Sequence, residues 1–261
     1  MGRIQSPSSI NTFNQCPRKY YYQYIEKLET KPNIHLVRGN VMHSVLEDFF
    51  KTDISRLSDH FEVELRTIAH ELLRKCWNEK KDKFNSLDLE DEQIDFFYKD
   101  SETMLNNWID NFVAKLSKQE SFAEGFKKLT PNTEVHYLSD NHQVQGYIDA
   151  IHESPEEVVL IDYKTSKKDY MSSEYKLQLA IYALLYYEKH RVLPSKVGVD
   201  FLKFNEKMIE VDESMVEHAK EEVSKVHRNT KSQAKEDYPK NPTPLCNWCD
   251  FYELCFGKKL K

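Results

Sequence analysis

The chain has 261 residues, of which 39% are hydrophobic and 31% charged, and its net charge is −6. That balance describes a globular chain with material for a sizeable core, and it argues against gripping nucleic acid through bulk positive charge, although a local basic groove stays compatible with it. No run approaches the roughly eighteen apolar residues of a membrane span, the first residues hold no apolar core of a signal peptide, and the expectation is a cytoplasmic protein. Five cysteines make an odd set for a secreted disulfide framework, so spaced cysteines point to metal or packing.

In chain order, residues 6–28 place Ser and Pro near the start of apolar and aromatic positions at helical spacing, which predicts a helix. Residues 35–50, "HLVRGNVMHSVLEDFF", read as a loop and then a helix beginning near Gly39. Residues 60–118 are rich in acids and bases with helical periodicity, and the whole of 51–128 is expected to be a helical insertion. "TEVHYL" and "QVQGYIDAI" flank the turn-rich "SDNH" and predict a β-hairpin, and "EVVLIDYKTS" is the continuous β-branched run of a strand buried on both faces. Helical period returns in "EYKLQLAIYALLYYEKH", strands in "KVGVDFLKFNE" and "KMIEVD", and a helix in "ESMVEHAKEEVSKVHRNTKSQ". A Pro-rich loop with three cysteines closes the chain. The pattern is that of an α/β protein, a mixed sheet flanked by helices in one domain over 1–261.

Asp162 follows "VVLI" directly, and an acid within an apolar strand is costly unless it is paired. Alternation along a strand puts Asp162 and Lys164 on one face and Tyr163 on the other. If the preceding strand pairs across "HESPEE", Asp149 converges on the same point. Two adjacent carboxylates repel unless a cation sits between them, and Mg²⁺ or Mn²⁺ suits such oxygen donors. A strand-end ion pair between Asp162 and Lys164 is the plainer alternative.

With "GYID", an apolar strand and "DYK" in that order, the sequence resembles the PD-(D/E)XK nucleases in their RecB-like branch. "RGNVMHSVLEDFF" is similar to the branch's G-x-x-x-H helix, and "QLAIYALLYYE" to its Q-x-x-x-Y helix. The resemblance implies a restriction-endonuclease-like fold, with Asp149, Asp162 and His43 as metal ligands. It further implies Lys164 acting on water and phosphate, and Gln178 and Tyr182 orienting lysine or substrate. Glu134 matches, more loosely, an acid on the first strand of the hairpin. In place of the family's Pro-Asp stands Ile148-Asp149, and the second acid is Asp162 rather than Glu, neither of which alters the ligand chemistry.

Cys246, Cys249 and Cys255 follow a C-x₂-C-x₅-C spacing, with Cys16 at the other end of the chain. Zinc sites usually come as two local pairs. The three-plus-one layout resembles the iron–sulfur nucleases of the same branch, among them the CRISPR-associated exonucleases and the AddB C-terminal nuclease. That resemblance implies a 4Fe-4S cluster on these four residues, stapling the tail 239–261 to Cys16, with zinc as the alternative. Cys76, inside a helical run, reads as packing.

Basic residues beside tyrosines in "CPRKYYYQY" suit contact with unpaired bases or simple core packing. Arg18, Lys19, Lys167 and Lys168 are candidate DNA contacts. Together these readings predict a metal-dependent DNA nuclease, an exonuclease on single-stranded ends, with CRISPR-adaptation or recombination proteins as partners. A non-catalytic DNA-binding or assembly module on the same fold is the second reading.

Overall fold

Three apolar runs in succession build the middle of the sheet. A computed structural model describes residues 3–57 and 60–257. The basic residues at the extreme C-terminus, part of the expected tail, lie outside them. Strands β1 (Asn132–Ser139) and β2 (Val144–Glu153) form the expected hairpin, and β3 (Val158–Lys164) pairs antiparallel with β2. Strand β4 (Lys196–Phe201) lies parallel to β3, and β5 (Glu206–Glu210) returns antiparallel, giving the order β1-β2-β3-β4-β5. A parallel pair needs a crossover, and the helix Ser173–His190 supplies it between β3 and β4.

Ten α-helices stand among the described residues: α1 (Pro7–Gln15), α2 (Pro17–Tyr20), α3 (Ile34–Phe50), α4 (Phe61–Glu79), α5 (Lys81–Asn85), α6 (Asp91–Leu116), α7 (Phe122–Leu129), α8 (Ser173–His190), α9 (Glu213–Asn229) and α10 (Tyr252–Phe256). They divide between the two faces of the sheet. One apolar cluster joins α1, α8 and α9 to Ile148, Leu160, Val197 and Val199. The other joins α3, α4, α6 and α7 to Ala150, Ile161 and Tyr163. Successive residues of β3 alternate between the two clusters, which is why its run reads as continuously apolar.

Three local expectations need correction. Helix α3 begins at Ile34 rather than near Gly39, because the Asn33 side chain accepts from the Leu36 N–H and caps an earlier start. Ile34 and Val37 are then buried one turn before the glycine. The cysteine tail is not all loop: a 3₁₀ turn spans Pro244–Trp248 and α10 follows it. Finally, Tyr20, Tyr21 and Tyr22 are core residues, stacked or tilted against Tyr238 and Phe251, so the tyrosine run offers no face to bases.

Candidate active site

The strands β2 and β3 part at Asp149 and Asp162, which stand opposite one another just beyond the last paired residues, Ala150 and Ile161. Asp149 fills the gap itself: its Oδ2 accepts from the Tyr163 backbone N–H at 2.7 Å. Its Oδ1 lies 3.3 Å from His43 Nδ1, and Glu134 Oε1 lies 3.7 Å from the same nitrogen. Donor atoms of His43, Glu134 and Asp149 all fall within 4.8 Å of one another, a grouping able to hold a metal ion.

Glu134 reaches this point through an unusual backbone. Its φ is +50°, and the β1–β2 ladder passes from Thr133↔Ala150 to Val135↔Ile148 without pairing it. A left-handed conformation costs a residue with a Cβ roughly 1–2 kcal/mol, and here it coincides with turning a carboxylate toward His43. The loose sequence match for Glu134 carried no sign of that kink.

His43 is oriented from behind. A carbonyl only accepts, so the 3.0 Å contact between Nε2 and the Tyr163 oxygen is an Nε2–H donation. That holds the ring with Nδ1 facing the two carboxylates, the arrangement commonly found behind metal-bound histidines. Burial alone would lower the basicity of His43. The hydrogen bonds to Asp149 and Glu134 and the charges of Asp149 and Asp162 outweigh it and push its pKa up to about 10.

Asp162 stands apart from the triple and is only 1% exposed. Its Oδ1 accepts from Gln178 Nε2 at 2.8 Å and from the Tyr182 hydroxyl at 3.4 Å, and Gln178 also donates to Tyr182. Lys164 Nζ lies 2.6 Å from Oδ2. That contact is an ion pair by distance but lacks hydrogen-bond direction, so Oδ2 is a buried acceptor with no directed partner. Burial raises the Asp162 carboxyl to about 6, against the pull of Lys164. For Lys164 burial acts downward, but Asp162 outweighs it and holds the ammonium above its ordinary range. A buried carboxylate oxygen whose one close partner is the Lys164 ammonium, beside a ready group of carboxylate and imidazole donors, fits a hard divalent cation.

Helix α8 brings Gln178 and Tyr182 here, packed closely over Gly146 of β2. A Cβ at that position would lie 3.2 Å from both Leu185 Cδ1 and Tyr182 Cε1, tighter than ordinary contact, so those side chains would have to shift by a few tenths of an ångström.

Thus the structure brings His43, Asp149, Asp162, Lys164, Gln178 and Tyr182 to one place. Lys167 lines a cavity beside Lys164, and Lys168 is exposed just beyond it. Arg18 and Lys19 do not join them. Arg18 Nε donates to the Tyr238 carbonyl at 2.7 Å, and Lys19 reaches Gln15 beside the cysteines. Two residues were missed: Arg38, and Asp100 of α6, which pairs with both Arg38 and Lys203. A signal existed, since Arg38 interrupts the apolar face of Ile34, Val37, Val41 and Val45 at helical spacing.

Cys16, Cys246, Cys249 and Cys255 line a single cavity of about 200 Å³ between α1 and the tail. Among the described residues no three of their sulfurs lie within 4.8 Å of one another. Cys246 Sγ accepts from the Thr243 N–H at 3.4 Å. Burial raises the thiols of Cys249 and Cys255, with Cys16 adding to both.

Comparison with known proteins agrees with this architecture. A candidate exonuclease from Eubacterium rectale superposes with a TM-score of 0.54 at 13% identity, covering 100% of this chain and 90% of that one. A protein designated SSO0001 aligns more loosely, with a TM-score of 0.31 and 14% identity over 86% of this chain and 98% of its own. Compared by sequence with curated proteins, the chain finds no match. The model of one family does match, over residues 5–256, and by that match the chain belongs to the PD-(D/E)XK nuclease superfamily, whose members use divalent metals.

Proposed function

We propose that this protein is a Mg²⁺- or Mn²⁺-dependent deoxyribonuclease of the RecB-like branch that hydrolyses phosphodiester bonds, working as an exonuclease on single-stranded ends. The observation that carries the reading is the convergence of His43, Glu134 and Asp149 beside the undirected Oδ2 of Asp162 and the ammonium of Lys164. His43, Asp149 and Asp162, with Glu134 added, would hold the ion. When bound, it would polarise a phosphoryl oxygen and lower the pKa of its water. Lys164 places a positive charge where negative charge grows on the phosphate. Gln178 and Tyr182 hold Asp162 Oδ1, so the carboxylate presents its other oxygen to the site.

The four cysteines are proposed as ligands of a 4Fe-4S cluster. A zinc tetrahedron with Zn–S bonds of about 2.3 Å sets its sulfurs about 3.8 Å apart, closer than any three of these lie. Lys19 and Lys240 line the same cavity and would offset the charge of four thiolates. The cluster would tie the tail 239–261 to Cys16. Residues 51–128 are read as a helical insertion within one nuclease domain, since its helices share an apolar cluster with α3 and the sheet. Among the described residues no helix is long and apolar enough to cross a membrane. A cytoplasmic place in CRISPR adaptation or in DNA repair and recombination, among proteins of those pathways, follows from the resemblance to the iron–sulfur branch.

The test is digestion of DNA labelled at the 5′ or 3′ end, single- and double-stranded, with Mn²⁺, with Mg²⁺ and with chelator. Metal-dependent shortening of single strands from one end is expected. Protein that binds DNA but leaves it intact with either metal would reduce the chain to a binding module.

A further inference from the structure

Helix α3 carries His35, Gly39 and His43 one turn apart, so the three share a face. His43 belongs to the metal-ligand group. At the His35 end opens a second cavity, of about 380 Å³, whose wall includes Arg38, Lys164, Thr165, Lys167 and Tyr175. No acidic residue lines it, although the chain as a whole carries a net charge of −6. Three cations face the cavity, and the carboxylates paired with two of them, Asp100 behind Arg38 and Asp162 beside Lys164, lie outside its wall, so the lining itself presents positive charge to an anion.

Arg38 is built into the floor. It is 1% exposed, pairs with Asp100 and donates to the Thr165 carbonyl at 2.9 Å. Its Nε is nonetheless buried with no hydrogen-bond partner. Asp100 cannot relieve it, since its other oxygen is engaged by Lys203. A buried donor left unmet is destabilising, so the fold holds Arg38 in the wall of this cavity at a cost. Lys164 belongs to both places: it stands 2.6 Å from Asp162 and also lines this cavity. Whatever fills the cavity therefore adjoins the reacting phosphate.

Gly39 keeps the path between them open. A Cβ there would meet only Thr165 Oγ1, at an ordinary 3.9 Å, so the protein's own packing does not require glycine. In a helix interior glycine is less favourable than alanine. The open strip is explained if the substrate backbone passes over it.

Resting on the nuclease reading, we infer that this cavity receives the terminal phosphomonoester of the strand being digested, so that the protein distinguishes phosphate-bearing ends from hydroxyl ends. A terminal phosphomonoester carries nearly two negative charges at neutral pH, against one for an internal diester, and so matches the three cations better. The volume suits one nucleotide rather than a run of them.

The test is fluorescence anisotropy with the full-length protein in EDTA, so that no hydrolysis is needed. The probes are one short single-stranded oligonucleotide with a 5′-phosphate, with a 3′-phosphate, or with hydroxyls at both ends. One phosphorylated form is expected to bind about tenfold tighter than the hydroxyl form, as charge-assisted hydrogen bonds imply. Lys167 is exposed, so Lys167→Ala should fold normally and should collapse that difference. A second variant, Gly39→Ala, should melt no lower than the native protein while digesting phosphate-ended DNA more slowly. Equal binding of all three oligonucleotides, or a preference that survives Lys167→Ala, overturns the inference. A wild-type preference without any digestion would instead uphold the cavity and refute the nuclease reading.

Discussion

The two places where this chain gathers metal-ligating side chains are built in opposite ways. Around Asp149 and Asp162 the protein supplies partners in advance: Tyr163 N–H, His43, Gln178, Tyr182 and Lys164 already constrain the carboxylates. Around Cys16 the thiols face a cavity, and the surrounding tail leaves Trp248 78% and Leu245 56% exposed. The first is a rigid arrangement set on strands and two long helices, ready for its chemistry. The second is anchored through Phe251 but leaves large apolar side chains uncovered around the thiols.

That contrast is open to breakage by mutation. Lys164→Ala should lower the rate of DNA digestion by about 10²–10³-fold, the usual effect of losing one preorganised charge, with little change in melting temperature. A parallel fall in melting temperature would mean that the charges around Asp162 serve the fold instead. Asp200 sharpens the comparison, because it is a buried acid on β4, beside Tyr163 in the next strand, and the charges acting on it are those of Glu206 and Lys115. Burial, together with the charge of Glu206, pushes its carboxyl up to about 7, with Lys115 pulling the other way. The folded state thus holds a proton that the unfolded chain, near pKa 3.9, has released. Its stabilising contribution is complete below about pH 4 and is lost as pH rises toward 7. Asp200→Asn should remove up to about 4 kcal/mol of that decline, and denaturant melts at several pH values would read it. Identical pH profiles for variant and native protein would show that Asp200 is no such burden. The smallest expected effect is at the cysteines. Cys249→Ala should lower the melting temperature by several degrees and abolish the brown colour of anaerobically purified protein, whereas a colourless native protein would speak for zinc or bare thiols.

The centre was more legible in the sequence than its surroundings. Strand alternation alone placed Asp162 and Lys164 together, and the hairpin added Asp149, because period two is a strict rule of extended backbone. Gln178 and Tyr182 came only with the resemblance to a Q-x-x-x-Y helix, since their one-turn spacing is common to any amphipathic helix. What stayed hidden depends on tertiary choices. Glu134 reaches His43 through a left-handed kink in β1, and Arg38 is held by Asp100, far away in the chain. The tyrosines at 20–22 show the reverse failure: local composition offered two uses for them, and only the packing of Tyr238 and Phe251 decides.

The ends of the chain are laced together. Arg18 binds Tyr238, Tyr22 donates to Leu254, Asn241 donates to Gln15, and Gln5 bridges to Val144 of β2. Closing so long a loop comes late for entropic reasons. Helix α1 already has α8 and α9 to pack against, so the links from residues 15–22 to residues 238–254 are laid over a core built by other segments. A centre held by Cys16 and the tail would need that lacing in place first, because its ligands lie on both sides of the seam.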